Sequence, residues 1–149
     1  MNYEGMFEVA QHIIQEKRQS RQFICPGDTV CVLLTKSGNF YAGTNCKSMQ
    51  MGRIFNAHAE LQAVQNMLSA GENALSAVML LDLRTGQPFL PCVQCIGYLM
   101  SLNPENYTCQ IVLGKDTVTM GDISQSMYSA YSQNAQSMQN QPLMMQNVR

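Results

Sequence analysis

Two short stretches, well separated in the chain, constrain this sequence more than anything else in it: Asn56-Ala57-His58-Ala59-Glu60 and Pro91-Cys92-Val93-Gln94-Cys95. Each is weak alone. Together they offer one imidazole, two thiols and one further carboxylate, the donor set of a hydrolytic zinc centre. Zinc prefers tetrahedral nitrogen and sulfur ligands, and a catalytic site keeps its fourth position open. His58, Cys92 and Cys95 supply three ligands with no evident fourth, which points to catalysis more than to a structural clasp. His58 and Glu60 are too close in sequence to share a helix face by i, i+4 spacing. At a loop-to-helix junction, however, both side chains can converge on one ion. Cys92 and Cys95 have the spacing that puts two sulfurs on one side of a first helical turn.

Each residue also has an ordinary explanation. His58 alone reads as a polar residue, Glu60 as a carboxylate at a helix start, and Pro91 as a helix-start proline. A bare C-x-x-C in a cytosolic protein is also read as a redox pair. No thioredoxin-like pattern accompanies it here. The joint presence of the two stretches, in this order and about one strand and a loop apart, favours the metal.

The chain has 149 residues, about one domain. The net charge is -1 with 13% charged residues, which is no footprint for nucleic acid. The 46% hydrophobic content on so weakly charged a chain makes subunit interfaces plausible. No run reaches the length of a membrane span, and the charged, amphipathic first residues do not read as a signal peptide. The six cysteines, Cys25, Cys31, Cys46, Cys92, Cys95 and Cys109, are therefore expected reduced, in the cytoplasm. Cys31 and Cys109 read as small buried hydrophobes.

Apolar periodicity predicts a helix over 3–20, with Phe7, Ala10, Ile13 and Ile14 as its buried stripe. The run 29–35 reads as a strand buried on both faces, joined by a tight turn to a strand at 40–43. Periodicity fails from 44 to 56, which predicts a polar loop carrying substrate contacts. A helix follows over 57–70, with Leu61, Val64, Met67 and Leu68 buried and Gly71 as its stop. Next come a strand at 77–81, a helix over 92–102, strands at 110–113 and 117–120, and a short helix with Asp122 as a candidate cap. This order predicts an α/β domain with one mixed sheet covered by helices. Residues 124–149 turn to Gln, Asn, Ser and Met, the composition of a flexible tail. Met138, Met144 and Met145 leave open a second reading as an apolar contact strip.

The paired motif, H-x-E followed by P-C-x-x-C, resembles the signature of the zinc-dependent cytidine deaminase superfamily. The resemblance implies an α/β, three-layer cytidine deaminase-like fold over 1–123, with a mixed five-stranded sheet flanked by helices. It implies one Zn2+ per subunit held by His58, Cys92 and Cys95, with Glu60 as proton shuttle. The implied reaction converts a cytidine-type nucleoside to its uridine-type product with release of ammonia. A homo-oligomer, dimer or tetramer, is implied as well; Ile96, Tyr98 and Met100 suit such an interface and suit a core equally. Substrate contacts are expected at Asn45, Ala59, Lys47, Phe55 and Pro91.

The chain also departs from that family. Free-nucleoside deaminases carry F-x-G-x-N-x-E at the end of the second strand, where Asn and Glu hold the ribose. Tyr41 to Lys47 matches that stretch and keeps Asn45, but puts lysine in place of the carboxylate. Lysine only donates hydrogen bonds, so it suits a phosphate, a carboxylate or a carbonyl, or else simply faces solvent. Ile96-Gly97 replaces the Arg-Gln of small three-cysteine members, consistent with a histidine-bearing site. The base-stacking phenylalanine has no clean match, with Phe23 and Phe55 both open. A modified aminopyrimidine substrate (a blasticidin-type antibiotic or a nucleotide) and a non-catalytic zinc-binding subunit remain as alternatives. A polynucleotide substrate is disfavoured, because the chain has no tryptophan and little positive charge.

Overall fold

The computed structural model describes residues 3–20 and 23–126. The expectations for the tail over 127–149 lie outside the described residues. In chain order the elements are α1 (Tyr3–Gln19), β1 (Thr29–Thr35), β2 (Phe40–Thr44), β3 (Cys46–Gln50), β4 (Arg53–Ala57), α2 (Ala59–Ser69), β5 (Leu75–Asp82) and α3 (Val93–Leu102). A 3-10 turn (Pro104–Thr108), β6 (Gln110–Leu113) and β7 (Asp116–Thr119) follow. Residues 120–126 are helical.

One five-stranded sheet, in the order β2-β1-β5-β6-β7, forms the middle layer. Its β5–β6 pair is parallel and the others are antiparallel, so the sheet is mixed. A parallel pair needs a long crossover, and α3 with the 3-10 turn supplies it. All seven residues of β1 are buried because its alternating side chains serve two cores. Cys31 and Leu33 pack with Val78 and Leu80 of β5 against α2 and α3. Val30, Val32 and Leu34 pack with Ala77, Met79 and Leu81 against α1. That alternation builds the expected three layers.

Two helices turn their apolar stripes differently from the expectation. On α1 the buried residues are Met6, Ala10 and Ile14, four apart and hence on one face, while Phe7 is 47% exposed. On α2 they are Ala59, Glu60, Ala63, Val64 and Met67, with Leu61 and Leu68 exposed. Small residues allow close packing there. Gly43 lies against α2 so tightly that a Cβ would sit 2.5 Å from the Ala63 nitrogen.

The loop expected over 44–56 is instead a hairpin. β3 and β4 pair antiparallel as a separate two-stranded sheet. Met51 and Gly52 turn it with φ of 52° and 76°, the double positive φ of a tight two-residue hairpin turn. A methionine in that place hides the turn from sequence patterns. The 3-10 turn, capped by Asn103 accepting from the Glu105 N–H, was also not foreseen. At the last helix Thr119, not Asp122, acts as the cap: its Oγ1 accepts from the Asp122 N–H at 3.1 Å. Among the described residues no helix is long and apolar enough to cross a membrane.

Candidate metal centre

The two halves of the motif adopt the same local structure. His58 is the N-cap of α2, with extended backbone and no side-chain capping bond. Cys92 is the N-cap of α3, again without a side-chain cap. Each side chain is thereby free for another partner. Glu60 and Cys95 follow in the first turns of the two helices, at 3% and 5% exposure. Two helix N-termini thus converge on one point, and their dipoles favour negative charge there, thiolate included.

The ligand atoms of His58, Cys92 and Cys95 all lie within 4.8 Å of one another, a group able to hold a metal ion. His58 Nδ1 is 3.7 Å from Cys95 Sγ. Tetrahedral zinc with ordinary Zn–N and Zn–S bonds requires about 3.6 Å between such atoms, so the residues fit the ion. His58 is exposed, Cys92 half-buried and Cys95 buried, which leaves the solvent side open. Burial pushes the Cys95 thiol up to about 12, and the Glu60 carboxylate beside it adds to the shift. A divalent cation between the sulfurs reverses that preference.

Glu60 joins the halves directly, its Oε2 accepting from the Cys92 N–H at 3.0 Å. Above these groups opens a cavity of about 250 Å³. His58, Glu60 and Cys92 line it, with Asn45, Asn56, Phe89 and Leu90 among its other walls. A larger, more apolar cavity of about 470 Å³ beside α1 contains none of the expected site residues.

The expected substrate contacts fall in different places. Asn45 lines the metal-side cavity. Ala59 and Pro91 are buried next to the ligands. Lys47 is turned away: its Nζ lies 3.2 Å from Asp28 Oδ1, and it borders a neighbouring cavity of about 360 Å³ together with Phe23 and Cys25. The Phe55 side chain lies outside the described residues. Burial raises the Asp28 carboxyl, but bonds from the Asn45 amide, the Cys25 N–H and Lys47 outweigh it, and the net shift is downward. The bond to Asp28 holds Lys47 above the usual lysine range.

Asn56 and Phe89 line the cavity and were missed from sequence. For Asn56 a signal existed, since residues i and i+2 of an extended segment share a side and His58 follows at that spacing. For Phe89 none did. Among the described residues no cysteine forms a disulfide. Cys31 and Cys109 are buried, as their apolar strand context predicted.

Neither a protein-family model nor a curated protein matches the sequence. Solved structures do. The chain is similar to cytidine deaminase from Mycobacterium leprae, with a TM-score of 0.62 at 20% identity over 83% of this chain and 97% of that one. It is similar to the Mycobacterium tuberculosis cytidine deaminase, with a TM-score of 0.64 at 18% identity over 83% and 94%. The Burkholderia pseudomallei cytidine deaminase gives 0.59 at 23% identity over 82% and 95%. The chain therefore has the cytidine deaminase fold, and a His/Cys/Cys cluster able to hold zinc lies within it.

Proposed function

We propose that the protein is a zinc-dependent hydrolytic deaminase of a cytidine-type nucleoside, releasing ammonia, with residues 1–123 as its catalytic domain. The observation that carries this reading is the pair of matched N-caps, His58 and Cys92, converging with Cys95 beside a buried carboxylate. Structural zinc sites need a fourth ligand, and among the described residues only three are grouped.

His58, Cys92 and Cys95 hold the ion, one per chain. When bound, zinc supplies an acidified water as nucleophile. Glu60 would receive the proton of that water and deliver it to the ring nitrogen next to the amine-bearing carbon; it would then take the proton of the newly added hydroxyl and pass it to the amino group, which leaves as ammonia. The Cys92 N–H fixes one oxygen of Glu60, which orients the carboxylate between floor and cavity. Ala59 and Pro91 lie buried beside the ligands, and Asn45 is on the cavity wall. The engagement of Lys47 by Asp28 argues against a free cation for a phosphate and supports an unphosphorylated substrate. Exposed Leu90, Val93 and Tyr98 near the site support assembly of copies into a dimer or tetramer, and free thiols support a cytoplasmic setting.

The test is ammonia release by the zinc-loaded protein across cytidine, deoxycytidine, cytosine and cytidine monophosphate. Wild type is expected to act on the nucleosides. Glu60→Gln is expected to lose about 10²–10⁴-fold in turnover while keeping its zinc. Full activity in that variant would overturn the assigned mechanism. Silence on every substrate would favour a non-catalytic zinc-binding subunit.

A further inference from the structure

Beside the metal ligands, Asn56 and Asn45 of the cavity wall join Asp28 and Lys47 in a relay of four polar side chains whose orientations are fixed by its two ends. Asn45 Oδ1 accepts from the Thr29 backbone N–H at 2.8 Å, and a backbone N–H can only donate. Asn45 Nδ2 donates to Asp28 Oδ1 at 2.9 Å. Asp28, shifted downward in pKa and paired with Lys47, is a carboxylate and can only accept. The amide of Asn45 therefore has a single allowed orientation. Its second N–H goes to Asn56 Oδ1 at 3.2 Å, so both of its donors are spent inside the protein. The same bond fixes Asn56 in turn, with its carbonyl inward. Asn56 Nδ2 is left as the outward donor of an exposed residue on the wall of the metal-side cavity.

We propose that Asn56, through Nδ2, is the donor that reads an oxygen on the sugar of the substrate, and that Asn45 is a positioning residue acting through it. Lys47 then has an indirect role. It neutralises Asp28, whose carboxylate orients Asn45, and the lysine at this position serves the relay. This inference rests on the nucleoside deaminase reading and names the sugar contact of that site.

The experiment compares steady-state kinetics of the zinc-loaded full chain on cytidine and on cytosine, which lacks the sugar. Asn56→Ala is expected to raise KM for cytidine about tenfold, the scale of one hydrogen bond, with kcat within twofold and cytosine kinetics unchanged. Asn56→Asp keeps the shape and still accepts from Asn45, but has no donor; it is expected to lose as much. The double variant Asn45→Ala/Asn56→Ala is expected to be no worse on cytidine than the worse single variant, because one residue acts through the other. Unchanged cytidine KM in both Asn56 variants, or additive losses in the double variant, would overturn the proposal. If wild type acts on no cytidine substrate, the function reading itself falls, a result distinct from an active enzyme indifferent to Asn56.

Discussion

Asn106 is wholly buried, and every polar atom of its side chain is used on backbone. Its Oδ1 accepts from the Leu75 N–H at 2.8 Å, and its Nδ2 donates to the carbonyls of Leu99 at 2.8 Å and Asn73 at 3.0 Å. One side chain thus pins the start of β5, the end of α3 and the loop before them. Asn106→Ala leaves these groups without partners in a space too tight for ready solvation. Each orphaned buried group costs about 1–3 kcal/mol, so a loss of about 3 kcal/mol is expected, read as a lower urea midpoint at unchanged m value. Glu60 is a buried polar side chain of another kind. It spends one oxygen on the Cys92 N–H and so links the two motif halves through a proton carrier.

At the scale of elements, the approach of α2 to β2 sets where His58 and Glu60 stand. Gly43 makes that approach: a Cβ there would fall 2.5 Å from Ala63 N, 2.7 Å from Gln62 Cβ and 2.8 Å from Ala59 O. These are mostly backbone atoms that cannot swing aside. Gly43→Ala is expected to cost about 3 kcal/mol, at the upper end for overpacking, and to shift the first turn of α2. A lower thermal midpoint together with weaker zinc affinity would verify it. The elements themselves were largely legible, for a physical reason. β1 and β5 alternate between two cores, so their runs are apolar throughout, and the motif halves announce helix starts by their donors. The β3–β4 hairpin was not legible, because Met51-Gly52 is an unusual pair for such a turn and polar residues mask the strand period. Nor was the face of α1: Met6 and Phe7 are equally apolar, and only the sheet beneath decides which is buried. Asn45 was found by its motif. Its partners were not, since Asp28, Thr29 and Asn56 are joined to it by tertiary geometry that no local pattern encodes.

For the molecule as a whole, the His58, Cys92 and Cys95 group brings the N-termini of α2 and α3 together, and both helices rest on one core. Zinc that binds only the folded chain adds stability by mass action. Free zinc at about a hundredfold excess over its Kd contributes about 2.7 kcal/mol, or about 5–10 °C for a chain of this size. Chelation is expected to lower the melting temperature by that amount, and the Cys95→Ser protein is expected to respond far less. A thermal scan with and without chelator decides this without any substrate. The rim of the sheet has a consequence of its own. Two outward groups of β2 are already occupied from α2: Gln62 Oε1 accepts from the Thr44 N–H at 2.6 Å, and Asn66 Nδ2 donates to the Ala42 carbonyl at 2.8 Å. These are backbone groups that a foreign strand would need. Unpaired sheet margins act as templates for amyloid-like growth and domain swapping; on this side two side-chain amides obstruct the template, and β7 at the other margin of the five-stranded sheet offers only four residues.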